Sequence, residues 1–116
     1  MHPYHDVKNF VEISGARDPV LYEKLIGEEY KEFLAAKTDD NKLQEASDLI
    51  WVLYGYCITR GWDVDGAWQE LTKANMAKIQ VDPTTGQLKR RADGKILKPA
   101  GWVKPDMIPF LNITKE

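Results

Sequence analysis

Asp18-Pro19-Val20-Leu21-Tyr22-Glu23-Lys24-Leu25-Ile26-Gly27-Glu28-Glu29-Tyr30-Lys31-Glu32-Phe33 holds a helix and an anomaly in one run. Asp18 can cap a first turn, and Pro19 has the backbone angle that a first helical residue needs. Tyr22, Leu25, Ile26, Tyr30 and Phe33 then recur on one helical face, so a helix is expected from Pro19 to about Lys37. Glu29 falls inside that face, between Ile26 and Phe33, whereas Glu28 falls outside it. Glu32, three residues on from Glu29, projects from the same side.

The pattern repeats downstream. Thr38-Asp39-Asp40-Asn41 interrupts the periodicity, and Asn41 with Gln44 three residues later resembles a capping box that opens a third helix, ending near Arg60-Gly61. From Leu49 to Ile58 this helix is apolar nearly all round, which suits packing on several sides, one of them a subunit interface. Glu45 and Asp48 share their side with Val52. Only 12 residues separate Glu32 from Glu45, enough for the end of one helix, a tight connection and the start of the next. Antiparallel neighbours follow, with one acid pair facing the other.

Acids aimed at a core are costly. Burying one unpaired carboxylate costs several kcal/mol, and four that converge repel one another until most take up protons. A divalent cation resolves the conflict. Oxygen-only ligation without Cys or His favours Mg²⁺ or Mn²⁺, whose remaining coordination sites can be shared with phosphate oxygens.

Around this pair, Tyr4, Val7, Phe10 and Val11 indicate a first helix over residues 4–14, stopped by Gly15. A fourth helix is expected from Asp63 or Asp65 to about Ile79, with Val64, Ala67, Trp68 and Leu71 as its stripe. Asn75 and Lys78 continue that stripe and are expected to face inward, as ligands for phosphate oxygens, while Lys73 points away. Beyond it, Asp82-Pro83-Thr84-Thr85-Gly86 reads as a turn, and Asp93-Gly94 as the tip of a small hairpin between Gln87–Arg91 and Lys95–Lys98. The fold class is therefore all-α, an antiparallel helical bundle. One domain over residues 1–116 is expected, with a helical body at about 4–79 and a Pro- and Gly-punctuated tail at about 80–116.

Composition narrows the setting. A chain that is 43% hydrophobic and 29% charged is globular, and no apolar run nears the roughly 20 residues of a membrane span. The N-terminus lacks a secretory pattern and Cys57 has no disulfide partner in the chain, so a cytoplasmic protein is expected, in a host cytoplasm if phage-encoded. Residues 1–72 hold 14 acids against 7 bases, and residues 73–116 hold 4 acids against 9 bases. An acidic body suits cations and a basic tail suits an anion such as phosphate. Lys89, Arg90, Arg91, Lys95 and Lys98 have two readings, a cover for phosphates or a solvated tail. A di-iron bundle would need Glu-x-x-His pairs, and the only histidines are His2 and His5 near the terminus.

Glu28-Glu29-x-x-Glu32 followed by Glu45-x-x-Asp48 resembles the signature of the MazG-like all-α nucleoside triphosphate pyrophosphohydrolases. Lys73-Ala-Asn75-Met-Ala-Lys78 and Asp93-Gly-Lys-Ile-Leu-Lys98-Pro-Ala-Gly-Trp102 with Pro105-Asp106 look like the small phage and bacterial members, so the resemblance covers roughly residues 20–108. It implies that Glu29, Glu32, Glu45 and Asp48 bind Mg²⁺, that Asn75 and Lys78 contact nucleotide phosphates, and that a nucleoside triphosphate is cut to monophosphate and pyrophosphate. A canonical or deoxy nucleoside triphosphate, with dCTP, dGTP and dUTP as candidates, is the implied substrate, and a homodimer or homotetramer the implied assembly. Glu32 is the preferred candidate to orient the attacking water. Phe10, Trp51, Trp62, Trp68 and Trp102 are all available to stack on a base. The competing reading is a non-catalytic helical module that binds a partner or nucleic acid through its basic segment. Acids aimed inward argue against it.

Overall fold

The computed structural model describes residues 2–111. Its helices are α1 Pro3–Ser14, α2 Pro19–Ala35, α3 Asp39–Thr59 and α4 Val64–Met76, followed by a 3-10 turn at Ile108–Phe110. The described residues form no extended strand, and none of the helices is long and apolar enough to cross a membrane. The chain divides into two compact units: the first runs to Val64 and takes in Phe110, and the second is Asp65–Pro109.

In the first unit, caps set where helices begin and end. Gly15 closes α1 in the left-handed conformation (φ 71°), its N–H returning to the Val11 carbonyl at 3.0 Å. Asp18 accepts the Val20 N–H at 2.9 Å, and Pro19 opens α2 as the sequence predicts. Helix α3 is capped three residues earlier than expected: Thr38, not Asn41, is the N-cap, and it accepts the Asn41 N–H at 3.4 Å. Asp39 and Asp40 thereby fall in the first turn, where the helix dipole favours negative charge, so this polar cluster belongs to the helix. Gln44, freed from the capping box, donates to the Asp48 carboxylate.

Contacts between α2 and α3 fix their register. The Tyr22 ring lies against Gly55, the Tyr56 hydroxyl meets Glu23, and the Lys42 ammonium reaches the carbonyls of Phe33 and Leu34. Early residues of one helix thus meet late residues of the other, which makes the pair antiparallel. Gly55 permits the closest approach, since a Cβ there would lie 2.7 Å from Tyr22 Cδ1 and nearer still to Cε1. Val7 and Val11 of α1 join Tyr22 and Val52 as the buried core, each side chain worth about 1.5–3 kcal/mol when removed from water. The all-round apolar α3 is only partly covered, with Ile50 52% and Leu53 46% exposed.

The second unit departs from expectation in α4. The helix ends at Met76, so Lys78 sits in the turn beyond it. Its buried residue is Ala74, whereas Trp68 is 64% exposed and Asn75 is exposed. The reason is what covers the helix: Trp102, from the tail, donates its indole N–H to the Ala74 carbonyl at 2.7 Å, so the covered side is centred on Ala74 and not on the Trp68–Asn75 stripe. The expected hairpin is present as an isolated antiparallel bridge between Arg90 and Ile96, and a second bridge joins Val81 to Leu88.

Candidate metal site on the α2–α3 pair

Antiparallel packing brings Glu29 and Glu32 of α2 to Glu45 of α3. Each of the three offers one oxygen, and these oxygens lie within 4.8 Å of one another. Glu29 and Glu45 are half-buried and Glu32 is exposed. Glu29 Oε1 and Glu45 Oε1 are buried with no hydrogen-bond donor among the described residues. Two carboxylates can share a hydrogen bond only if one holds a proton, so both oxygens are orphaned when the acids are ionised.

The electrostatics carry the same message. Burial pushes the Glu29 carboxyl up to about 7, helped by the charges of Glu32 and Asp48 and by proton sharing with Glu45 and Glu32. Glu45 is also raised, first by burial and then by the charge of Glu32. Asp48 stands beside this trio: near enough to act on Glu29 and Glu45, its carboxylate accepts from Gln44 Nε2 at 3.2–3.3 Å. Glu28 is exposed.

Orphaned buried oxygens, no nitrogen or sulfur donor and one exposed flank fit a hard divalent cation. The residues that would hold it are Glu29, Glu32 and Glu45, with Asp48 adjacent. Next to them is a hollow of ≈ 320 Å³ whose walls include Phe10, Leu21, Leu25 and Trp51 and whose edge includes Glu29 and Asp48. Phe10 and Trp51 meet edge to face at 5.5 Å. Of the five aromatic candidates, these two stand beside the acids. Trp62 packs on Tyr56 and under Arg60, and Trp102 lies under Lys78 and Lys98. Asn75 and Lys78 belong to the second unit.

Sequence reasoning missed Lys42. Its ammonium donates to the Phe33 and Leu34 carbonyls at the end of α2 and lies 4.5 Å from the Phe33 ring centroid, which ties the end of α2 to the turn of α3 that carries Glu45. The available signal was a lone lysine three residues before Glu45, in an otherwise acidic stretch.

No curated protein matches the chain. Residues 5–75 match the phosphoribosyl-ATP pyrophosphohydrolase family, a match that spans most of α1, all of α2 and α3 with the four acids, and most of α4, and ends at Asn75. That family lies within the MazG-like all-helical superfamily, cleaves phosphoanhydride bonds of nucleotides and is generally dependent on divalent metal. With more than half its length inside that match, the chain belongs to the phosphoribosyl-ATP pyrophosphohydrolase family and is a pyrophosphohydrolase of nucleotides.

Proposed function

We propose that the protein hydrolyses (deoxy)nucleoside triphosphates to nucleoside monophosphate and pyrophosphate, with Mg²⁺ held by Glu29, Glu32, Glu45 and Asp48 and with Mn²⁺ as a substitute. The observation that supports this most is the acid trio within 4.8 Å with two orphaned buried oxygens. A cation bound there supplies positive charge to the phosphates and acidifies water. Glu32, the exposed member, orients a water and accepts its proton as oxygen adds to phosphorus and pyrophosphate departs. The Phe10–Trp51 hollow receives the base by stacking and burial. Asn75 and Lys78, which the family resemblance assigns to the nucleotide phosphates, complete the proposed residue set.

The test is pyrophosphate release from a panel of ribo- and deoxynucleoside triphosphates, with phosphoribosyl-ATP included because the family is described by it. Release that requires Mg²⁺ or Mn²⁺ and is abolished by Asp48→Ala in a folded protein supports the reading. Silence across the panel, or full activity in Asp48→Ala, refutes it.

A homodimer or homotetramer in the cytoplasm completes the proposal. Ile50 and Leu53 of α3, with Leu34 of α2 at 57% exposure, are apolar side chains that a second copy would cover. Light scattering tests it, and a strict monomer at micromolar concentration contradicts it.

A further inference from the structure

In the second unit, Lys78, Lys89 and Lys98 line a hollow of ≈ 180 Å³. Their positions are set by backbone ties. The Leu97 N–H donates to the Lys89 carbonyl at 2.9 Å, which sets Lys98 beside Lys89, and the Val81–Leu88 bridge closes the other edge. Trp102 is anchored by its 2.7 Å bond to the Ala74 carbonyl, and the ammonium groups of Lys78 and Lys98 lie 5.1 and 5.0 Å from the centroid of that one ring.

Gathering two cations on one ring is repulsive, and the ring's electron-rich face offsets only part of it. Among the described residues, neither ammonium has a carboxylate partner: Asp82 pairs with Lys89 at 4.0 Å, and Asp93 with Arg91 at 2.6 Å. Asp82 lines the hollow as well, and one carboxylate against three ammonium groups leaves it positive. Lysine ammonium groups are point charges that suit an anion presenting several oxygens, and the enclosure suits a compact anion better than an extended strand.

We propose that the hollow lined by Lys78, Lys89 and Lys98, two of them resting on the Trp102 ring, is a metal-independent site for a di- or triphosphate group, either that of a bound nucleotide or released pyrophosphate. The inference extends the proposed function, which already places Lys78 at the phosphates, by adding Lys89, Lys98 and Trp102. Its test needs neither metal nor turnover, so its failure and that of the hydrolase reading are distinguishable.

The experiment is calorimetric titration of the full chain with inorganic tripolyphosphate, pyrophosphate and a nucleoside triphosphate in excess EDTA. The expected result is saturable binding of all three, weakened at least about tenfold by Lys78→Gln with Lys98→Gln. Lys98→Gln alone, which leaves Trp102 bonded to Ala74, should give a smaller loss. Lys104→Gln, an exposed lysine outside the hollow, should change affinity by less than about twofold. No saturable binding, or an equal loss in Lys104→Gln, overturns the site. Displacement of tripolyphosphate by a single-stranded oligonucleotide well below the concentration at which nucleotides displace it also overturns it, in favour of a polymer surface.

Discussion

The acid trio on α2 and α3 and the Arg91–Asp93 turn handle charge in opposite ways. On α2 and α3 three carboxylates are held against one another, and Glu29 is pushed up to about 7 by burial and like charge. In the second unit Arg91 holds Asp93 below the usual carboxylate range through a two-point contact at 3.0 and 2.6 Å. Paired charges such as Arg91–Asp93 stabilise a turn and ask for nothing more. Unpaired charges that the fold forces together are held against their own repulsion, and that cost is what a ligand of opposite sign relieves.

Breaking the acidic side of this contrast should have the largest effect. Glu45→Gln removes one charge from the trio and supplies an amide that can donate to the orphaned Glu29 Oε1. Mg²⁺-dependent pyrophosphate release should fall by about 10²-fold or more, while the metal-free protein melts higher than wild type. A variant that loses activity and stability together would make Glu45 a structural residue.

Gly55→Ala separates packing from charge. The added methyl meets the Tyr22 ring, and a loss of about 1–3 kcal/mol in denaturant unfolding is expected. Lys42→Met, which keeps the stem on Phe33 but removes the donor to two α2 carbonyls, should cost about 1 kcal/mol. If Lys42 also positions the acids, it should weaken Mg²⁺ binding, an effect that Gly55→Ala at matched stability would not show.

The smallest effect lies in pH. Because Glu29 is raised from 4.5 to about 7, the folded metal-free protein keeps a proton that the unfolded chain releases above about 4.5. Its contribution to stability is complete at low pH, falls as pH rises from there through about 7, and levels off above. Mg²⁺ needs the ionised carboxylate, so the rise in melting temperature that Mg²⁺ produces should be larger near pH 8 than near pH 6. A shift independent of pH across this window would remove Glu29 from the ligand set.

Much of this arrangement was legible before the fold was known. Asp18-Pro19, the α2 stripe and the short gap between Glu32 and Glu45 are local signals, and α3 covers α2 in the register they imply. Other features were less accessible. Thr38 and Asn41 can both cap a helix, and the choice turned on Asp39 and Asp40 sitting comfortably in a first turn. Trp68 and Asn75 were wrongly put on the covered face of α4, while Val64, Ala67, Leu71 and Lys78 are partly buried; a tail residue 28 positions from Ala74, Trp102, decides which side is covered. Selecting Phe10 and Trp51 among five aromatics required knowing that α1 lies against α3, a contact with no periodicity to announce it.

Direct binding of a spin-visible cation tests the central claim most simply. Mn²⁺ titrated into the metal-free protein at about pH 8 and followed by electron paramagnetic resonance should show saturable uptake in the wild type, and little in Glu45→Gln. Equal uptake by both proteins, or none by either at millimolar Mn²⁺, would contradict the assignment of Glu29, Glu32 and Glu45 as a cation site.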